Sequence, residues 1–362
     1  MNFVLPFLAA FLTAAVLTPA AMVLARRFGL VDDPKRRHPG ALHTQVVPRG
    51  GGLAIYMAVI LASLIFVGIT KKTLGIFAGG LILVIVGLVD DRVDLGSWRK
   101  LASQILAATV VVASGIGIAF IANPLFAFGN FGAIGEVIRL DSLRVTFNFL
   151  GAHSVLVWAD LFALFWIVWV INMVNFSSGV DGQMPGIVIV ALLVIFAASL
   201  RFAGHDPSQV LVAKLALIGA GATAGFLIFN FYPARIFPGD SGSYFLGFLV
   251  AVLAILSGAK VGTAILVMAV PLTDGVFTIV RRIASGKSPF LGDRKHLHHR
   301  LLELGWGQRR IALFYWVLCA ILGAVALLLP AAQKLFAGVL VATVVIGGLL
   351  WLNTNLSQKH QR

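Results

Sequence analysis

Cysteine is almost absent: a single Cys319 lies inside an apolar stretch, so no disulfide frames the fold and the redox compartment leaves no trace. Charge is scarce as well. Only 12% of the 362 residues are charged, and Asp and Glu together number 14. A soluble domain of this length needs far more polar surface, so composition excludes one. Internal repeats, low-complexity tracts and a second soluble domain are missing too. The first apolar stretch lacks a basic leader and runs into Arg26-Arg27, so it reads as a first membrane helix and not as a cleaved signal.

What is present is apolar, 59% hydrophobic with a mean hydropathy of +0.98. It comes in stretches of about 18–24 residues, the length that crosses the ~30 Å hydrocarbon core as helix. Eleven spans are expected, at 2–25, 51–70, 73–89, 101–121, 155–174, 185–203, 210–231, 243–257, 261–280, 311–330 and 335–352. The predicted fold class is all-α, a polytopic integral membrane helical bundle forming one domain over 1–362. Between the fourth and fifth spans, Val137–Phe149 alternates apolar and polar residues, which predicts a small exterior β-hairpin near 130–150.

The connections after odd-numbered spans, with the C-terminal tail, hold twenty Lys and Arg, against seven in the opposite set. The richer side is expected to face the cytoplasm of a cell membrane, with the N-terminus outside and the C-terminus inside. That topology and attraction to anionic lipid account for most of the +14 net charge. No aromatic-basic module accompanies it, so no nucleic-acid partner is expected.

Because acids are so few, their placement is informative. The polar clusters all fall in the basic-side loops, near 26–50, 90–100, 175–184, 232–242 and 281–310. They are Asp32-Asp33, Asp90-Asp91, Asn172 to Asp181, Asn230 to Asp240, and His296 to Arg300. Alternate gaps share a membrane face, so the clusters describe one polar site.

Each cluster has two readings. Asp90-Asp91 is either an interfacial charged cap or a hard-cation and phosphate site, and oxygen-only ligands suit magnesium. Asn172 and Asn175 share a helix face ahead of Ser178, Gly179, Asp181 and Gly182, a pattern for a turn or for close backbone approach to a ligand. Asp240, among glycines at a helix start, is an N-cap or part of a metal-phosphate site. The histidine loop is a solvated basic segment or a holder of nucleotide phosphates; no cysteine or HExxH spacing supports zinc. Asp274, inside the ninth span, is an ion-pair partner for Arg281-Arg282 or a substrate contact. Asp160 reads as an interfacial residue.

Together these segments resemble the polyprenyl-phosphate N-acetylhexosamine-1-phosphate transferases, glycosyltransferase family 4. The resemblance runs in order from about residue 26 to 310. It covers Pro48-Arg49-Gly50-Gly51-Gly52-Leu53, Val89-Asp90-Asp91-Arg92, Asn172-Met173-Val174-Asn175 and Gly179-Val180-Asp181-Gly182. It continues through Pro233-Ala234, Gly239-Asp240-Ser241-Gly242-Ser243 and His296-Leu297-His298-His299-Arg300.

The resemblance implies that polyprenyl phosphate attacks the β-phosphate of a UDP-sugar in the membrane, releasing UMP. It implies Asp90, Asp91 and Asp181 as catalytic acids, with Asp90 the candidate base. Asp240 and Asp181 would be ligands of Mg2+, with Mn2+ as a substitute. Asn172, Asn175, Asn230, Lys100, His296, His298, His299 and Arg300 would bind substrate. A homodimer is a further expectation.

The chain departs from the family pattern at Ser178, where an aspartate is usual, at Pro238, where Met is usual, and at Gln183-Met184-Pro185. His-x-His-His-Arg resembles the N-acetylhexosamine branch more than the phospho-N-acetylmuramoyl-pentapeptide transferase branch, which stays as the alternative. A transporter with an inward polar gate is the alternative from another class. It would place polar groups near the bilayer midplane in repeated halves, and no repeat is visible.

Overall fold

The computed structural model describes residues 2–32, 46–123, 137–148, 152–257, 260–288 and 295–359. Asp33, Pro289 and Asp293 of the expected loops lie outside the described residues, as do 130–136 and 149–150 of the expected hairpin.

In chain order the elements are α1 (Val4–Arg27), β1 (Val31–Asp32), β2 (Val47–Pro48), α2 (Gly51–Phe66), α3 (Lys71–Val93) and α4 (Ser97–Ala113). There follow β3 (Phe120–Ala122), β4 (Val137–Arg139), β5 (Arg144–Asn148), β6 (Ala152–Leu156), α5 (Val157–Phe176), α6 (Gln183–Phe202) and α7 (Ser208–Asn230). The chain ends with α8 (Gly239–Leu256), α9 (Lys260–Val267), α10 (Ala269–Ala284), α11 (Leu297–Glu303), α12 (Gln308–Leu328) and α13 (Ala331–Lys359).

The chain is a polytopic helical membrane protein. Among the described residues, eight helices are long and apolar enough to cross a bilayer, or nine if α9 and α10, bent by 81° to each other, count as one span. The expected second and fourth spans are α2, of 16 residues, and α4, of 17, both shorter than the ~20 residues of an ordinary crossing. α8 lies at the centre, with 78% of its span buried against 11% for α13. Its aromatic and branched residues explain why: Tyr244, Phe245, Phe248 and Leu249 are fully enclosed, and Trp166 of α5 donates to the Ala251 carbonyl at 3.1 Å. α1 and α13 carry the opposite burden, leaving Val16, Val339, Leu340 and Val344 more than half exposed as a lipid-facing surface.

The strand pairing expected near 130–150 is present in β5 with β6, and a second small sheet stands beside it. β4 pairs antiparallel with β3, Ile138 opposite Ile121, while β5 pairs with β6, Val145 opposite Val155. Asp141 interrupts the alternation, accepting from Arg139 Nε at 3.0 Å and NH2 at 2.8 Å, and the chain changes partner there. These sheets follow the end of α4 and precede the start of α5, so they lie at the opposite end of the bundle from Asp90 and Asn175.

Two backbone contacts fix the polar end. The free N–H groups opening α2 are satisfied by the loop before α8, Gly51 donating to the Phe237 carbonyl and Gly52 to the Pro238 carbonyl, each at 3.0 Å. α3 meets α8 at Gly87, where a β-carbon would strike the backbone of Ser241. The partner is main chain and cannot swing away. Gly87→Ala should therefore lower stability by about 1–3 kcal/mol through overpacking, read as a drop in melting temperature of the detergent-solubilised protein.

Candidate active site

Asp90 and Asp91 close α3, and adjacency separates their roles, since neighbours on a helix diverge by about 100°. Asp90 turns toward α4. Its Oδ1 accepts the Leu95 N–H at 2.7 Å, and its Oδ2 lies 2.6 Å from Lys100 Nζ. Asp91 turns toward α8, accepting the Asp240 N–H at 2.9 Å and the Ser241 hydroxyl at 3.2 Å. A carboxylate is favourable there because a helix start offers unused N–H groups and the positive end of its dipole. Gly239 permits the approach: its φ is 68°, and any β-carbon would collide with the Asp91 carboxylate.

Asp240 completes the cluster. Its Oδ2 lies 3.2 Å from Lys100 Nζ and accepts the Tyr244 hydroxyl at 3.1 Å. One ammonium thus bridges carboxylates from α3 and α8. Arg49, 3.4 Å from Asp32, adds a favourable field at Asp91 and Asp240. The Asp90 side chain is only 2% exposed, whereas Asp240 keeps 26%, so the cluster opens on the Asp240 side. Burial opposes the charge on Lys100, but the Asp240 and Asp90 carboxylates outweigh it and hold its pKa above the ordinary lysine value.

A second group packs beside the first. The Asp181 carboxylate accepts the Ala234 N–H at 2.9 Å, tying the α5–α6 loop to the α7–α8 loop. Asn230 pins the same loop, accepting from Gly182 N at 3.1 Å and donating to the Ile236 carbonyl at 2.9 Å. Asn172 donates to Gln104 Oε1 at 2.7 Å, joining α5 to α4. Asn175 Oδ1 accepts the Ser243 hydroxyl at 2.7 Å, one turn along α8 from Asp240. Ser178 returns its hydroxyl to the Asn175 carbonyl at 2.6 Å, so the residue that departs from the resemblance serves as a helix-end bond.

The histidines form a third group against the end of α5. His296 lies with its ring 5.6 Å from Phe176, parallel to His298 at 5.5 Å, and His298 is 4.3 Å from His299. His298 Nδ1 and Arg300 Nε are buried with no hydrogen-bond partner among the described residues. Burial first, then His299 and His296, hold the His298 pKa well below the ordinary imidazole range.

Comparison with known proteins identifies the family. The family model described as glycosyl transferase family 4 matches residues 73–258. The chain belongs to glycosyl transferase family 4. It is 35% identical over 377 residues to the decaprenyl-phosphate N-acetylglucosaminephosphotransferase of Mycolicibacterium smegmatis, covering 94% of this chain and 87% of that one. It is 30% identical over 341 residues to the probable undecaprenyl-phosphate N-acetylglucosaminyl 1-phosphate transferase of Bacillus subtilis, covering 92% and 86%. Similarity to the phospho-N-acetylmuramoyl-pentapeptide-transferase of Oceanobacillus iheyensis is lower, 28% over 324 residues, covering 85% and 91%.

Within this family 4 chain, Asp90, Asp91, Lys100 and Asp240 meet directly, while Asp181, Asn172 and Asn230 are engaged in bracing loops and helices. Sequence reasoning missed Tyr244 and the bracing roles of Gln104 and Gln308. Tyr244 had a readable signal, since it lies four residues from Asp240 on one helix face. Gln308, whose Oε1 accepts from Asp181 N at 3.3 Å, had none.

The donor set fits magnesium: oxygen atoms only, with Asp90 Oδ2 and Asp240 Oδ2 already converging on one cation, the ammonium of Lys100. Among the described residues, no three His, Cys, Asp or Glu side chains form a ready cage for a metal ion. Magnesium commonly takes one or two carboxylates and fills its shell with water and substrate phosphate.

Two outcomes are expected. Lys100→Met leaves the buried Asp90 carboxylate facing Asp240 unneutralised; it should lower stability by about 3 kcal/mol, and added Mg2+ should recover part of the melting temperature. For His298 the depressed folded pKa means the unfolded chain binds the proton first. Stability is then full above the ordinary histidine value of about 6.5 and falls as pH drops below it. Thermal unfolding across that range should show the loss, and His298→Gln should flatten it.

Proposed function

We propose that this chain transfers N-acetylhexosamine-1-phosphate from a UDP-sugar to polyprenyl phosphate, releasing UMP. A phosphate oxygen of the lipid attacks the β-phosphorus of the donor. The new P–O bond forms as the bond from β-phosphorus to the bridging oxygen breaks, and UMP leaves with the electron pair. The observation that carries this reading is the three-carboxylate, one-ammonium cluster at the polar end of a family 4 membrane bundle. The relatives' names support the sugar and the lipid, so UDP-N-acetylglucosamine is the first donor to try.

Both substrates bring phosphate charge to one place, and the residues divide that burden. Asp240, with Asp90 beside it, would hold magnesium, which supplies positive charge to the phosphoryl oxygens when bound. Lys100 orients those carboxylates and adds its own positive charge beside them. Asp91 holds the start of α8 in place, so Asp240 keeps a fixed position. The lipid phosphate is already ionised at neutral pH, which makes deprotonation by Asp90 dispensable and leaves it an orienting and charge-placing role. Asp181 and Asn230 fix the loop beside the nucleotide, and His298, His299 and Arg300 cover the donor phosphates.

The Lys and Arg distribution supports placing this end at the cytoplasmic face, with the N-terminus outside and the C-terminus inside. Ordinary UDP-sugar pools would then reach it directly.

The test is purified protein with polyprenyl phosphate and a panel of UDP-sugars, scored for UMP. UMP release with UDP-N-acetylglucosamine, abolished by EDTA and restored by Mg2+, is expected. Asp240→Asn should be folded and inactive. Full activity in that variant would remove Asp240 from the metal site, and lipid-independent UMP release would overturn the acceptor.

A further inference from the structure

Asp274 lies within the bent span, on α10, and has no part in the cluster described above. Its carboxylate is buried at 6% side-chain exposure and takes both of its hydrogen bonds from the histidine segment. Oδ1 accepts the Leu297 N–H at 2.9 Å, and Oδ2 lies 3.0 Å from His296 Nδ1. The Thr278 hydroxyl sits 3.4 Å from the same nitrogen. The expected partnership with Arg281-Arg282 is thus replaced: Arg281 donates to the Lys295 carbonyl at 3.1 Å, and Arg282 packs over the Phe176 ring at 6.0 Å.

Two consequences follow from elementary chemistry. A carboxylate only accepts, so Nδ1 of His296 carries the hydrogen and Nε2 is the atom left for other work. Leu297 is the first residue of α11, so Asp274 supplies from another helix the cap that His296 does not give with its own side chain. One side chain therefore sets both the tautomer of His296 and the start of the helix carrying His298, His299 and Arg300.

We infer that Asp274 is a positioning residue for the transfer reaction, acting through His296 and α11 and never touching substrate. This inference rests on the transfer reading above. The burial supports it, because such a polar group is retained in the apolar interior only when fully bonded. So does the geometry of α10, which departs from α9 by 81° and so brings Asp274 under the loop.

The experiment compares the full-length wild type with Asp274→Asn, His296→Gln and the double variant. It measures UMP release against UDP-N-acetylglucosamine, melting temperature, and amide hydrogen exchange over residues 296–303. Asparagine keeps the shape but must present an N–H to one of the two donors. The expected result is a fall in kcat/KM of about 10- to 100-fold, falling mainly on the KM for the donor. Exchange at 296–303 should quicken while the melting temperature holds.

In the His296→Gln background the same change should cost much less, since both act through one contact. Should Asp274→Asn fail to fold, Asp274→Glu, which keeps the carboxylate, carries the same comparison and should retain part of the activity. Wild-type kinetics with unchanged exchange overturns the inference, as do additive losses accompanied by a lowered melting temperature. A wild type that releases no UMP with any donor overturns the transfer reading instead, and the exchange data then decide the brace by themselves.

Discussion

Everything at the polar end depends on holding three like charges close together where water is thin. Three carboxylates gathered around one ammonium repel one another, and each is met by its own source of positive potential. The bundle supplies three: the first turn of α8 for Asp91, the Leu95 amide with Lys100 for Asp90, and Lys100 with the Tyr244 hydroxyl for Asp240. None of these can be moved independently. α8 must start where it does for Asp91 to find its amide, and α2 and α3 must crowd its first turn for it to start there. The architecture around α8 is in this sense dictated by electrostatics as much as by apolar packing.

How much of this could be read in the chain depended on the kind of signal. Apolar runs report span positions directly: eight of the eleven expected spans are membrane-length helices and one is the bent pair, while those at 51–70 and 101–121 are the shorter α2 and α4. The gathering of the acidic pair, Lys100 and Asp240 followed from alternate loops sharing one face, a rule that needs no distances. Direction of side chains is another matter. Asp181, Asn172 and Asn230 stand at helix ends, where polar residues serve ligands and loops equally. Their loop-bracing partners, which no local pattern announces, are Ala234, Gln104, Gly182 and Ile236.

The misses have physical reasons too. Period-two alternation marks strand character but says nothing of which strand answers it: β5 pairs with the next strand, β6, as the hairpin expected near 130–150 requires, while β4 turns back to β3. The bend between α9 and α10 falls at Met268, where neither glycine nor proline stands; Pro271 sits inside the following helix, in its first turn, where proline is tolerated. Asp274 pairs with a histidine 22 residues away, a choice that no local pattern could have separated from an arginine two turns along the same helix.

The contact at Gly87 carries a mechanical meaning. Helices that touch main chain to main chain cannot slide past each other without severing Asp91 from the start of α8. A bilayer of different thickness asks a bundle to tilt or shear, and α3 and α8 can answer only as one body. The yielding then falls to the periphery, to α13, only 11% of whose span is buried, since α1 meets the main chain of α7 at Gly221 and Gly225 in the same close way. The close contact at Gly87 thereby opposes any tilt that would change the spacing between Asp91 and the start of α8.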